Sequence, residues 1–452
     1  MKLKKFFSVL LPVTLACSSL LTGCNDENKV VEINSGMPKE GQELVGNITF
    51  WHSFTQGPRL EVIKQAAKEF EEKNPKVNIK IETFSWNDFY TKWTTGLSSG
   101  NVPDLSTALP NHVVEMINFG ALQPLGDLID SIGRDKFAKA SIDEGTVNGK
   151  NYSIPLYSHA QVMWVRKDLL QKYNLSVPKT WNELYETAKT LTQNGVYGLS
   201  VPMGSNDFMA TRFLNLYVRS GGGSLLTKDL KADLTSPLVQ DGIKYWVKMY
   251  KDTSPKDSVN YNVLQQATLY YQGKTAFDFN SGFQIGGVKA NSPQLLEFVD
   301  AYPIPKMNEN DPTPALETAN IPLVVWKNSK HPDIAKAFMK TLYEKDRYIE
   351  FLKAVPVGML PAIQGISNEE SYKNNPIIAQ FQHAESVISD ALVRGSAIGY
   401  EHGPNLQAGI LTNQHIIEKM FQDIIVNGTD PMVAAQKAEK ELNNLFEIIV
   451  TK

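Results

Sequence analysis

Hydrophobic and polar positions alternate between two periods along most of the chain. Asn47–Phe54 (NITFWHSF) reads as a buried strand running into a turn at Thr55-Gln56-Gly57-Pro58. Leu60, Ile63, Ala67 and Phe70 then recur at helical spacing, and Asn74-Pro75 stops that helix. Val77, Ile79 and Ile81 alternate with Asn78, Lys80 and Glu82, the pattern of a half-buried strand. Strand, helix, strand at the start of a domain predicts a parallel sheet and an α/β fold. The same grammar returns later. Thr180-Trp181-Asn182-Glu183 is a capping box before Leu184, Ala188 and Leu191, and a strand is expected at Tyr197–Val201. Leu323–Trp326 is a short apolar strand, followed by a helix from Pro332 with Ile334, Ala337, Phe338 and Leu342 on one face. A final helix opens at Asp430-Pro431 and carries Ala435, Ala438, Leu442, Leu445 and Ile449. Gly221-Gly222-Gly223 and the run Pro303–Pro314 mark loops or crossovers. No repeat of 20–50 residues is visible, which disfavours a solenoid or propeller.

Length adds a second level. A chain of 452 residues exceeds one ordinary domain, so two lobes are expected. Hydrophobic residues make up 42% and charged residues 21%, the balance of a chain with a sizeable core. Lys and Arg number 45 against 48 Asp and Glu, a formal charge of −3, so nothing favours nucleic acid as a partner.

The first residues form an address. Lys2, Lys4 and Lys5 precede a largely apolar run at Phe6–Leu15, too short for a permanent membrane span. It ends in Leu21-Thr22-Gly23-Cys24, which resembles the bacterial lipobox; that resemblance implies cleavage before Cys24 and lipid on its thiol. Residues 1–23 are thus expected to be a lipoprotein signal peptide. Residues 24–45 are expected to be a flexible polar tether on the extracytoplasmic face of the cell membrane. The two cysteines, Cys17 and Cys24, both lie in this segment, so the body has no disulfide framework.

Catalytic and metal signatures are sparse. There is no G-x-S-x-G elbow and no H-E-x-x-H pair. Gly273-Lys274-Thr275 lacks the glycine at position 268 that a phosphate loop requires, since Thr268 stands there. The seven histidines include no i, i+4 pair. No cofactor and no metal site are expected.

Trp51-His52-Ser53-Phe54, Lys73-Asn74-Pro75-Lys76-Val77, Val102-Pro103-Asp104, Asn148-Gly149-Lys150, Ile154-Pro155, Arg166-Lys167-Asp168-Leu169-Leu170, Pro178-Lys179-Thr180-Trp181 and Gly273-Lys274-Thr275-Ala276-Phe277 follow in order. Together they resemble the extracellular solute-binding proteins of carbohydrate ABC importers, the group that includes maltose-binding protein. The resemblance covers residues 46–448. It implies a two-lobed periplasmic-binding-protein-like fold with hinge crossovers and a C-terminal helical portion. Lobe 1 would hold 46–157 and 303–352, and lobe 2 would hold 158–302 and 353–452. It also implies a non-enzymatic, monomeric receptor. Such a receptor closes on a sugar, expected here to be a small oligosaccharide, and docks on a permease.

A sugar site needs aromatic rings for the C–H face and amides or carboxylates for the hydroxyl rim. The resemblance places Trp51, Ser53, Thr55 and Gln56 at the first cleft loop, and Trp86 and Asp88 at the second. It aligns Asn111 and His112 with a polar pair that touches sugar in maltose-binding protein, although Ala108 replaces the aromatic expected before them. Tyr157 and His159 lie beside the crossover, with His159 in place of an acid. Gly282 allows close backbone approach, and Phe283 matches a stacking tryptophan. Glu317 and Asn320 precede a strand of the returning first lobe, and Tyr400, Glu401 and His402 form a late loop. Asp104, Trp93 and Trp164 are expected to be structural. Three other readings remain open: a binder of glycerol-3-phosphate or its diesters, a secreted polysaccharide hydrolase, and a sensor subunit that reports sugar to a membrane kinase. The phosphate reading calls for arginine, of which the chain has seven, with Arg394 near a late cleft segment.

Overall fold

Two sheets organise the computed structural model, which describes residues 35–450 apart from Gln56 and Ala315. The signal segment and Cys24 lie outside the described residues. The strands are β1 (Gly46–His52), β2 (Val77–Thr83), β3 (Leu105–Thr107), β4 (Thr146–Val147), β5 (Lys150–Asn151), β6 (Ile154–Ala160), β7 (Val162–Arg166), β8 (Phe277–Asn280), β9 (Val299–Tyr302), β10 (Thr318–Val325) and β11 (Leu360–Pro361). β4 and β5 form a small hairpin of their own.

The six-stranded sheet has the order β11-β6-β10-β3-β1-β2. The expected parallel pairing holds for β1 with β2 and with β3. β10 then runs antiparallel to both β3 and β6, so the sheet is mixed. The second sheet, β8-β7-β9, is wholly antiparallel. The chain passes from β6 in the first sheet to β7 in the second through the single residue Gln161. It comes back between β9 and β10, across the proline-rich segment. These are the crossovers of a two-lobed fold.

The apolar faces make two large cores. Phe50, Ile63, Phe70, Leu323, Phe338 and Ile349 belong to the core around the first sheet and the helices Pro58–Lys73 and Pro332–Thr341. Trp181, Phe213, Trp246, Phe279, Phe421 and Leu442 belong to the second, built on the helices Met209–Ser220, Pro237–Thr253 and Pro431–Val450. β7 serves both cores: Val162 and Trp164 point into the first, Met163 and Val165 into the second, as strand alternation requires.

Three local expectations are corrected. Residues 35–45, expected in the tether, are held on the body. Lys336 Nζ donates to the Ser35 carbonyl at 2.7 Å, and the Met37 amide donates to Asp127 at 2.8 Å, while Leu44 is buried. Tyr197–Val201 is no regular strand, because only Tyr197 bridges, to Thr275, with hydrogen bonds at Tyr197 and Gly198. β11, from the segment expected in the second lobe, extends the first sheet by pairing with β6.

Candidate functional site

The crossover at Gln161 fixes one wall of the site. β10 lies antiparallel beside β6, pairing Ala319 with His159 and Asn320 with Ser158. The Gln161 amide donates to the Glu317 carbonyl at 3.0 Å. Arg212, from the helix Met209–Ser220, grips the Glu317 carboxylate through Nε at 2.8 Å and Nη2 at 2.8 Å. Both side chains are nearly sealed, at 10% and 5% exposure. Ser158 Oγ lies 2.5 Å from Asn320 Oδ1, and Asn320 Nδ2 donates to Glu144 Oε2 at 2.7 Å. Burial pushes the Glu144 pKa up to about 7, partly opposed by that bond. Burial, reinforced by the Arg212 charge, holds His159 down to about 3, so its ring is neutral at physiological pH.

The facing wall supplies an aromatic ring. Phe283 opens the helix Phe283–Asn291 directly after β8. Its ring meets His159 edge-on, with centroids 6.4 Å apart and planes at 89°. Gly282 is needed because a Cβ there would strike the Val357 carbonyl, so the close approach expected of this glycine is to protein backbone. Buried polar atoms at the end of β1 and at the β6–β7 crossover have no protein partner: His52 Nε2 and Ser53 Oγ at the first, His159 Nδ1 and Gln161 Oε1 at the second. Buried polar groups are normally paired, so such a set is suited to a ligand or water rich in hydroxyls.

At this place β6 of the first sheet meets the helix that follows β8 of the second. The profile of the bacterial extracellular solute-binding proteins matches residues 56–347. The chain belongs to that family. Members bind solutes and are not enzymes. The solute-binding fold extends over nearly the whole chain. The putative ABC transporter periplasmic-binding protein YcjN of Escherichia coli is 21% identical over 447 residues, covering 97% of this chain and 98% of that protein. The diacetylchitobiose binding protein DasA of Streptomyces coelicolor is 25% identical over 392 residues, 83% and 84% of the two chains. A solute binding protein of Thermotoga lettingae, solved with α-D-tagatose, superposes with a TM-score of 0.76 at 21% identity, covering 88% of this chain and 99% of that one.

The remaining candidates of this solute-binding protein fall into three groups. Trp51 is buried on β1 with its ring 5.3 Å from Phe84 and Lys92 Nζ 5.2 Å above it, and its indole N–H is unpaired. Trp86 packs half-buried on Phe89, at 5.5 Å. Asp88 is exposed in the first helical turn, bonded to Ser85 Oγ at 2.6 Å, where it stabilises the helix start. Gln56 lies outside the described residues.

A second group ties the helix after β3 to a helix of the second core. Asn111 Nδ2 donates to Thr412 Oγ1 at 2.5 Å, Asn413 Nδ2 donates to Glu115 Oε1 at 2.7 Å, and Tyr400 Oη donates to the Pro110 carbonyl at 2.8 Å. The helices Pro110–Asn118 and Leu406–Asn413 are thereby latched, with Gly409 pressed on Glu115. Asn111 and Tyr400 are thus engaged by protein. His112 is buried, and burial lowers its pKa to about 3.

The third group borders a cavity of 810 Å³ formed by Arg219, Gly221–Ser224, Lys228, Asn308, Glu401 and His402, among others. Arg219 Nε lies 3.2 Å from Glu401 Oε1, and Ser224 Oγ donates to Glu401 Oε2 at 3.2 Å. His402 is exposed at its rim. Asp104 is structural: Oδ2 accepts from the Thr49 amide at 2.7 Å and Oδ1 from Ser329 Oγ at 2.5 Å. Trp93 and Trp164 are core, as expected. Arg394 is bound to Asp390 on a helix surface. Sequence reasoning missed Arg59, Arg212, Arg219 and Glu144; a lone charged residue inside a helix carries no periodic signal of what it faces. Among the described residues no cluster of His, Cys, Asp and Glu could hold a metal ion, and no helix is long and apolar enough to cross a membrane.

Proposed function

We propose that this chain is the receptor subunit of an ABC importer, taking a small oligosaccharide into the cleft between its sheets and presenting it to a membrane permease. The observation that carries the reading is the meeting of His159, on β6 of the first sheet, with Phe283, on the helix after β8 of the second, where His159 Nδ1 and Gln161 Oε1 lack protein partners. A ring for the sugar face and unpaired donors and acceptors for its hydroxyls are what saccharide recognition needs. The diacetylchitobiose-binding relative and the tagatose-bound neighbour support the same ligand class.

In this reading Trp51, Ser53, His159 and Phe283 contact the ligand directly. Glu401 and His402 extend the site toward the 810 Å³ cavity. Asn111 and Tyr400 hold the closed form. Cys24 bears lipid and anchors the receptor on the extracytoplasmic face.

A thermal-shift panel of mono- and oligosaccharides tests the ligand class. A ligand at one hundred times its dissociation constant adds about 2.7 kcal/mol. Across a body of roughly 400 residues that is a rise of about 3 °C. A response restricted to phosphorylated polyols, or cleavage of the saccharide, rejects the proposal. For the anchor, Cys24→Ala should move the protein from the membrane fraction to the medium or periplasm of its host.

A further inference from the structure

Six of the seven arginines sit on carboxylates: Arg134 on Asp130, Arg166 on Asp168, Arg212 on Glu317, Arg219 on Glu401, Arg347 on Glu69 and Arg394 on Asp390. Arg59 forms no ion pair with any described residue, yet it is half-buried in the first turn of the helix Pro58–Lys73. Its guanidinium carbon lies 5.0 Å from the Phe54 ring centroid and 5.1 Å from that of Phe283. Two rings therefore cover the cation, one from the β1 end and one from the facing wall. Ring faces satisfy charge but not the in-plane N–H groups of a guanidinium; the Tyr157 hydroxyl engages one edge of Arg59, a neutral partner, and the fork stays suited to grip a planar or tetrahedral oxyanion.

The neighbours carry the same bias. His52 Nδ1 accepts from the Phe54 amide at 3.1 Å, which leaves the proton on Nε2, a fully buried donor without an acceptor. Glu61, the acid of the same helical turn, is held by Lys64 at 3.2 Å. No side chain caps this helix, so its positive end adds to the Arg59 field. We propose that Arg59, between Phe54 and Phe283, selects a saccharide that bears an anionic group, a carboxylate or a phosphate ester, and that the charge of this group completes the site.

The inference rests on the sugar-receptor reading and is tested separately from it. Isothermal titration at low salt compares matched pairs: glucose with glucuronate, galactose with galacturonate, their dimers, and each neutral sugar with its 6-phosphate. The expected result is at least one pair in which the acidic member binds about tenfold or more tightly, with a preference that shrinks as salt rises. Arg59→Gln should bring that ratio close to one, and Arg59→Lys should leave a reduced preference, because a point charge lacks the fork. The uronate and phosphate arms identify which oxyanion is read. Neutral members that bind as well as their acidic partners in every responding pair overturn the inference while leaving a sugar receptor intact. An unchanged ratio in Arg59→Gln overturns the assignment to Arg59. Silence from every saccharide, neutral and acidic, overturns the receptor reading and this inference together.

Discussion

Glu317 can be either a rim residue for ligand or a beam of the scaffold, and substituting it distinguishes the two. Its carboxylate takes three short contacts from Arg212, at 2.8, 2.8 and 3.0 Å. Glu317→Gln keeps the shape but removes the charge and turns one acceptor into a donor that faces the guanidinium. Arg212 is then a buried cation left with only the weaker pull of Asp207. Breaking one side of such a pair costs about 3–5 kcal/mol, most of it the uncompensated ion. For a body of roughly 400 residues, unfolding entropy of about 0.8 kcal/mol/K turns that into a fall of some 4–6 °C. Differential scanning calorimetry reads the shift, and urea denaturation checks it independently. The double variant Arg212→Met with Glu317→Met removes both charges and should recover most of the loss, giving a coupling above about 2 kcal/mol. A Glu317→Gln protein within 1 kcal/mol of wild type, with weakened saccharide binding instead, would refute the scaffold argument and return Glu317 to the rim.

Further outcomes follow from the same geometry. Phe283→Ala should weaken saccharide binding about 5- to 30-fold, the loss of one stacking face worth ~1–2 kcal/mol, with a preserved circular dichroism spectrum; an unchanged dissociation constant removes Phe283 from the site. Gly409→Val should force the helices Pro110–Asn118 and Leu406–Asn413 apart, since even a Cβ there meets Glu115, and small-angle scattering should show a larger radius of gyration. A curve that superposes on wild type removes the latch. Stability should be nearly flat from about pH 5 to 6 and fall on both sides. His52, His112 and His159 are held to about 3 in the folded state, so their contribution is lost as pH falls from 6.5 toward 3. Glu144, Asp278 and Glu418 are raised to about 7, so theirs is lost as pH rises from about 4 through 7. A melting temperature that climbs steadily through pH 7 at constant ionic strength contradicts this balance.

How much of the molecule could be read from its sequence depends on the range of the interactions concerned. The capping box at Thr180 and Glu183 was legible because both bonds close within one turn, and it is present, with the Thr180 side chain on the Glu183 amide and Glu183 on the Thr180 amide. β1, the helix after it and β2 were legible because a period of two or of 3.6 is written into neighbouring residues. The antiparallel return of β10 was not, since its direction is decided by a crossover more than a hundred residues from its partner β6. The end of the tether failed for a similar reason: a polar composition suggested freedom, whereas Lys336 and Asp127, far along the chain, capture Ser35 and Met37. Phe283 and His159 were singled out by resemblance, and the fold does bring them edge to edge. Glu317 was singled out as well, but what decides its role is Arg212, which lies 105 positions away and has no motif of its own. Arg59 shows the limit most clearly. An arginine two residues into a helix has the pattern of a solvated charge. Only the placement of Phe54 and Phe283 on either side of it, and the pairing of every other arginine with an acid, turns that ordinary residue into an arginine that has no counter-charge among the described residues.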